Sequence, residues 1–493
     1  MTAMRVLHVG HGYTPFHHGG LLAYAEDLMR AQVGAGLEVS YFCAGRNYPL
    51  LRPRVRRWSR AGVRMVEVLN SPVQIGPLES GTRHPRRDLE EEQLERLFGR
   101  VLDEVRPDLV HVQELGRLPS SVLDAPRGRG VPVLMTLHDY FPLCPTVKLF
   151  DVDGRICLRE DPAAQCARCC HAAPGPLDPI IGTLGYHRRA VEARFPVVER
   201  LPKPRDLLRR RRAAGAAEAV EARVAHGTPA PAQVTGDVED YRMRREVNVE
   251  RLSRVDRLLA ISTRVAEIYA TLGVDPARLG TLGLTLTRLE YLRPRRQRAV
   301  GRPLRFVTLA GCSTAAKGAH VIAGALDELE AMGITADDLT LSIAGQVDPA
   351  VADRVAASPL ARIAGSYSID QLDRMLEEFH VGIVPSVWEE THGFTGAELL
   401  AKGVPVIGNA VGGIVEYTRD GETGWLNRDR DARGLAGIMA GIVRDPGQVV
   451  ALNERILELR DELVPPMSAH LARLHETYRE LVGQSSSTSA SSG

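Results

Sequence analysis

Short apolar runs alternate with amphipathic stretches along the first 140 residues. RVLHVG (5–10), DLVHV (108–112) and VPVLMTLHD (131–139) are apolar at nearly every position, as strands covered on both faces require. LEVSYFCAG (37–45) and VRMVEVL (63–69) read the same way. Between them, LLAYAEDLMRAQVGAG (21–36) and LEEEQLERLFGRVLDEV (89–105) place apolar residues three and four apart, the period of a half-buried helix. Strand, helix, strand with β-branched runs predicts a parallel sheet wrapped by helices.

The pattern breaks from about 145 to 250, where cysteines give way to HAAPGPLDP and then to an Arg- and Ala-rich stretch. It resumes at VDRLLAIS (255–262). A second α/β set begins near 304, with LRFVTLAG, LTLSIAG, HVGIVPS and VPVIGN as strands. Two helices, LNERILELRDELV and SAHLARLHETYRELV, come after them, and GQSSSTSASSG closes the chain as a tail expected to be disordered. The expected organisation is an N-terminal Rossmann-like domain, 1–285, carrying the 145–250 insertion. A C-terminal Rossmann-like domain, 286–484, comes next, its last helix packing back on the first, and then the tail, 485–493. The fold class is α/β, with two parallel sheets facing across a cleft.

Composition narrows the function. With 493 residues, 44% hydrophobic and 25% charged, the chain reads as a soluble globular protein of more than one domain. A net charge of +1 gives no general attraction for nucleic acid. No apolar run reaches the roughly 20 residues that span a bilayer, and the start lacks the features of a signal peptide. The expected compartment is the cytoplasm.

WEETHGFTGAELLAKGVPVIG (388–408) holds the candidate chemistry. HVGIVPS reads as a strand, VWEETHG as the loop at its carboxyl end, and FTGAELLAKG as a helix stopped by Gly403. Ligands of open parallel sheets bind at strand carboxyl ends, and a helix start offers unpaired N–H groups to phosphate. Glu390 on the loop and Glu398 in the first turns of the helix would add two carboxylate acceptors. Together they suit a ligand that joins phosphates to hydroxyls, such as a nucleotide sugar. The spacing alone is better explained by a helix with two solvated acids, and a pair of acids also serves glycosidases.

The wider pattern resembles the retaining glycosyltransferases of the GT-B fold, family 4 (glycosyl transferases group 1). Glu390-Thr-His-Gly393-Phe-Thr-Gly-Ala-Glu398, followed by Gly403-Val-Pro-Val-Ile407, is similar to that family's E-x7-E signature. LAGCSTAAKG (309–318), VGGIVEYTRDGETGWL (411–426), Gly19-Gly20 and MTLHD also match in family order. The resemblance implies roles. Glu398 would bind the donor ribose, Glu390 the donor sugar and Lys317 the diphosphate. Gly311, Gly393, Phe394 and Thr395 would line the donor site, and Gly20 would let backbone reach the phosphates from across the cleft. His138 would stand near the reacting carbon, so that His138, Glu390 and Lys317 form the catalytic set. Cys312 stands where the family has a phosphate-binding arginine, which removes a bidentate cation. The implied reaction moves a sugar, of hexose type, from a nucleotide-sugar donor to a glycan, a lipid-linked or a small-molecule acceptor, in polysaccharide or glycoconjugate biosynthesis. No cofactor is required for catalysis. A sugar-nucleotide epimerase or hydrolase on the same fold, and an inactive zinc-stabilised scaffold, remain the alternatives.

Two features stand outside that pattern. Cys144, Cys157, Cys166 and Cys169 form C-x12-C-x8-C-x2-C, with Cys170 and His171 beside them. Four thiols with one C-x2-C pair suit a tetrahedral structural zinc, with buried free thiols or a redox pair as the other readings. Between 181 and 225 there are 11 Lys or Arg against 5 Asp or Glu, a local balance of +6. The run Arg209–Arg212 within it reads either as a solvated helix face or as peripheral contact with the anionic inner face of a membrane. It lacks the interleaved aromatics of a nucleic-acid site.

Overall fold

The computed structural model describes residues 3–17, 19–49, 51–73, 80–173, 175, 177–195 and 237–491. Its first sheet contains Arg5–His11 (β1), Glu38–Ala44 (β2), Arg54–Arg60 (β3), Val63–Leu69 (β4), Leu109–Val112 (β5), Val133–Leu137 (β6), Arg257–Ala260 (β7) and Leu279–Thr281 (β8). Their order is β3-β4-β2-β1-β5-β6-β7-β8. The central strands β1, β5 and β6 are almost wholly buried, as helices on both faces demand. β3 was not evident in the sequence. RVRRWSR is too polar for a buried strand, and it pairs antiparallel with β4 at the sheet edge, where arginines can reach water.

The second sheet contains Leu304–Leu309 (β9), Leu339–Ala344 (β10), Ala361–Gly365 (β11), Val381–Val384 (β12), Val406–Asn409 (β13) and Gly424–Asn427 (β14). Its order, β11-β10-β9-β12-β13-β14, is parallel throughout. β11 and β14 are its edges, short and partly exposed, which is why neither shows as an apolar run.

Five helices bear on the cleft and its supports: α1 (Gly20–Gly34), α2 (Asp178–Arg194), α3 (Val238–Arg254), α4 (Phe394–Lys402) and α5 (Met467–Ser491). α2 and α3 belong to the insertion between β6 and β7. α3 has little apolar surface and is held instead by buried arginines. Arg244 donates to Asp88 Oδ2 (2.8 Å) and to the Phe141 carbonyl (2.8 Å), and Arg251 donates to Asp124 (2.8 Å) and the Leu89 carbonyl (2.9 Å). Charged donors on buried carbonyls and carboxylates satisfy groups that would otherwise be costly. The run Arg209–Arg212 lies outside the described residues.

α5 returns to the first sheet. Tyr478 Oη lies 2.6 Å from His111 Nδ1 and accepts from Gln32 Nε2 at 3.0 Å, while Tyr24 Oη sits 2.8 Å from His470 Nε2. The serine-rich segment expected to be disordered after 484 instead continues this helix to Ser491. Extending a formed helix costs far less than nucleating one, so poor helix formers can ride on its end. Among the described residues no single helix is long and apolar enough to cross a membrane.

Several histidines are trapped in this packing. Burial lowers His8, His392 and His470 to about 4 and His138 to about 3. Folded, these rings stay neutral to low pH, whereas unfolded they protonate below about 6.5. Stability is complete above that value and is lost as the pH falls, by about 1.4 kcal/mol per unit for each ring. Asp139, raised to about 7 by burial and by Glu114, offsets part of this, as do Asp88 and Glu398, which burial also raises. The expected result is a urea midpoint that drops between pH 7 and pH 5. A midpoint that holds or rises would mean that the rings are already charged in the folded protein.

Candidate active site

β12 ends at Val384, and the chain passes through a loop into α4, whose N-cap is Gly393. Gly393 adopts φ 80°, a left-handed conformation that favours glycine, and no side chain caps the helix. The first N–H groups of α4 therefore face the cleft with the positive end of the helix dipole. From the other sheet, α1 begins at Gly20. A Cβ there would lie 2.4 Å from Phe394 Cδ2, so a larger residue would push the two domains apart at this point.

A cavity of about 320 Å³ lies between these helix starts. Gly20, His138, Lys317, Glu390, Gly393, Phe394, Thr395 and Glu398 all line it. These residues come from both halves of the chain and only the fold brings them together. Gly311 is not among the lining residues. It packs behind them, where a Cβ would meet Thr308 Oγ1 at 2.1 Å and Pro385 Cδ at 2.8 Å. Cys312 is fully buried in the apolar core of the second domain, so its side chain does not open onto the cleft.

The two acids are treated differently. Three donors converge on Glu390 Oε2: Lys317 Nζ at 2.6 Å, Ser386 Oγ at 2.9 Å and Trp388 Nε1 at 3.1 Å. Burial pushes this carboxyl up, but Lys317 and the hydrogen bonds hold it below the usual carboxylate range. Glu398 is also buried, and its Oε1 accepts from Arg288 Nε (2.8 Å) and Nη2 (2.6 Å). There burial outweighs Arg288 and the carboxyl is raised. The adjacent Glu389 points elsewhere, to Arg264 (2.7 Å) and the Gly412 N–H (3.1 Å), and ties the loop to the first domain.

His138 comes directly after β6. Its Nε2 lies 2.9 Å from Gln113 Oε1, which makes Nε2 the protonated nitrogen and leaves Nδ1 as an acceptor. Burial, with His470 and His392 nearby, keeps the ring neutral. Its carbonyl accepts from Thr391 Oγ1 at 2.8 Å, a bond across the cleft.

Comparison with known proteins agrees with this geometry. Residues 304–445 match the family described as glycosyl transferases group 1, and residues 19–173 match the glycosyl transferase 4-like domain. The chain belongs to the group 1 glycosyltransferases. A stretch of 200 residues, 39% of the chain, is 26% identical to a putative colanic acid biosynthesis glycosyltransferase, WcaL, of Salmonella typhimurium, and covers 48% of it. Over 106 residues, 21% of each chain, identity reaches 38% with a D-inositol 3-phosphate glycosyltransferase of Acidothermus cellulolyticus. The chain thus spans less than half the length of these curated relatives. Among solved structures, sucrose-phosphate synthase from Thermosynechococcus elongatus superposes with a TM-score of 0.58 at 17% identity, over 98% of this chain and 100% of that one. Anabaena Alr3699/HepE in complex with UDP-glucose gives 0.54 at 12% identity, over 97% and 100%. These likenesses give the glycosyltransferase its fold, GT-B.

The cysteines gather in the insertion, where Cys144, Cys170, Cys169 and Cys157 all lie close enough to Cys166 for their charges to act on it. Among the described residues no group of three or more His, Cys, Asp or Glu is placed to hold a metal ion, Cys144, Cys157, Cys166 and Cys169 included. They are buried free thiols. Cys144 Sγ lies 3.2 Å from Thr146 Oγ1, and Cys157 Sγ accepts from Arg159 at 3.1 Å. Burial pushes Cys166 well up, Cys169 to about 12 and Cys170 to about 11, which keeps these three protonated.

Arg288, Tyr367 and His392 also line the cavity and were not evident from the sequence. Arg288 lies 110 positions from its partner Glu398. His392 sits inside the signature itself, between the two acids, at a position to which their spacing assigns no role.

Proposed function

We propose that this protein is a retaining glycosyltransferase. It moves a hexose-type sugar from a nucleotide-sugar donor to a glycan, lipid-linked or small-molecule acceptor, in polysaccharide or glycoconjugate assembly. One observation carries the reading. A single cavity between the carboxyl ends of two parallel sheets joins an uncapped helix start, a lysine and two unlike buried carboxylates. The helix start and Lys317 suit the diphosphate, Glu398 the ribose diol, and Glu390 the sugar hydroxyls.

In this reading the bond from the anomeric carbon to the β-phosphate oxygen breaks, its electron pair leaving with the phosphate. The acceptor oxygen bonds to that carbon from the same face and gives its proton to the departing phosphate. The site needs no water-activating base for this. His138 stays neutral and contributes a lone pair and an N–H of fixed direction, rather than a charge. Lys317 and the α4 N–H groups are aimed where charge builds, the arrangement that acts mostly in the transition state.

The test is a thermal-shift screen of nucleotide sugars, starting from UDP-glucose, the ligand of the Anabaena structure. A donor present at 100 times its Kd should stabilise the fold by about 2.7 kcal/mol. Transfer with the bound donor should depend on added acceptor and keep the anomeric configuration, read by NMR of the product. Turnover without acceptor would favour an epimerase or hydrolase. Failure to bind any nucleotide sugar would remove the enzymatic reading.

A further inference from the structure

A chain of buried hydrogen bonds leads from His138 through the first domain to the last helix. His138 Nε2 lies 2.9 Å from Gln113 Oε1. Gln113 Nε2 lies 3.1 Å from His8 Nδ1, and His8 Nε2 lies 2.7 Å from Gln32 Oε1. Gln32 Nε2 donates to Tyr478 Oη at 3.0 Å. Tyr478 Oη lies 2.6 Å from His111 Nδ1, and His111 Nε2 lies 2.7 Å from Thr136 Oγ1. The chain ties α1, β1 and the ends of β5 and β6 to α5, and none of its residues is more than 7% exposed.

These links assign every proton. His138 donates from Nε2 to Gln113, Gln113 to His8, His8 to Gln32, Gln32 to Tyr478, Tyr478 to His111 and His111 to Thr136. Burial lowers His8 to about 4, His138 to about 3 and His111 well below its usual value, so no ring takes a second proton near neutral pH. With both amides turned over, the whole chain could run backwards, and His138 would carry its proton on Nδ1. Gln113 opposes that reversal. Its Nε2 also lies 3.2 Å from both ring nitrogens of His111, whose in-plane positions are taken by Tyr478 and Thr136. The second N–H therefore meets the ring face, where a turned-over carbonyl oxygen would be repelled. Tyr478 opposes it as well, by giving the Gln32 N–H an acceptor. Without that hydroxyl the forward chain would leave a buried N–H orphaned, and the reversed chain only a carbonyl oxygen, which proteins tolerate better.

We propose that Gln113, His8, Gln32 and Tyr478 are positioning residues, which hold His138 with its proton on Nε2 and its Nδ1 lone pair available to a substrate hydroxyl. This rests on the reading of the cavity as a sugar-transfer site, which His138 lines. The last helix thereby takes part in the site through Tyr478, which lies four hydrogen bonds from His138.

The test uses the full chain with isotope-labelled histidine. NMR reads which ring nitrogen of His138 is protonated, with its signals assigned by their loss in His138→Gln, and transfer kinetics give kcat/KM. Wild type should show His138 protonated at Nε2. Gln113→Met removes the direct acceptor and should move the tautomer ratio roughly tenfold or more towards Nδ1, the scale of one unmet buried N–H. Tyr478→Phe should also bring in the Nδ1-protonated form. In both variants kcat/KM, which reports the free enzyme, should fall in proportion to the share protonated at Nε2. Tyr24→Phe is the control. It removes a different hydroxyl that reaches α5, 2.8 Å from His470 Nε2, and keeps the ring that packs on His138. It should lower the melting temperature about as much as Tyr478→Phe does and leave the tautomer and kcat/KM as they are. Wild type protonated at Nδ1, or a His138 tautomer unchanged in Tyr478→Phe, would overturn the proposal. Equal losses of kcat/KM in Tyr478→Phe and Tyr24→Phe would make α5 a structural support only and overturn it too. If wild type transfers no sugar, the reading of the cavity falls, while the tautomers still decide whether the chain sets His138.

Discussion

Lys317→Ala should lower turnover by about two orders of magnitude or more, the loss seen when one positioned charge-stabilising donor is removed. The lysine is already in place before any donor arrives. Its Nζ donates to Glu390 Oε2 at 2.6 Å and lies beside Trp388, on the turn opposite the start of α4. Charge on the diphosphate grows as the sugar departs, so a fixed cation lowers the barrier more than it tightens donor binding. The substitution has a second effect. It leaves Glu390 with Ser386 and Trp388 as its hydrogen-bond donors, in a site where its side chain is only 8% exposed. Leaving that carboxylate short of a partner costs about 1–3 kcal/mol. The double variant Lys317→Ala/Glu390→Gln removes the uncompensated charge and should recover stability without recovering turnover. Melting temperature and kcat measured on all three proteins separate the two effects. A fully active Lys317→Ala enzyme would show that the phosphate site lies elsewhere.

The sequence made one part of the site visible because that part is local. Glu390, Gly393 and Glu398 lie on one loop and the helix after it, and periodicity alone sets their relation. The order of strands and helices is likewise dictated by apolar runs, and the two sheets form where those runs are. The residues that complete the site are not local. Arg288 sits on a short helix, Thr287–Tyr291, after the first sheet, and reaches Glu398 only because that helix packs against α4, 110 positions further along the chain. Cys312 shows the opposite limit. At a position matched by an arginine, the sequence could report a missing cation, but not that the side chain turns into the core. The Cys312 side chain is fully buried with the apolar cluster of the second domain, where a charge would be costly.

Arg288→Ala should make nucleotide binding weak and dependent on pH, while Glu398→Ala should make it weak at every pH. Glu398 is 2% exposed, and burial already lifts its carboxyl above the usual range, with Arg288 opposing the lift. Removing Arg288 takes away both its charge and its two hydrogen bonds, at 2.8 and 2.6 Å, so the carboxyl must rise further. A protonated Glu398 is a poorer acceptor for a ribose diol than the anion is, by about the difference between a charged and a neutral hydrogen bond, roughly 1–2 kcal/mol. Affinity of Arg288→Ala for its nucleoside diphosphate should therefore fall as the pH drops through the raised value and recover as it rises. Wild type should show a shallower dependence over the same range. Glu398→Ala has no carboxyl to titrate, so its loss, roughly tenfold to a hundredfold, should be flat with pH from this source. The measurement is nucleotide Kd for the three proteins between pH 5.5 and 9. Parallel profiles in wild type and Arg288→Ala would mean that Arg288 does not set the charge of Glu398. Unchanged affinity in Glu398→Ala would remove this acid from the nucleotide site altogether.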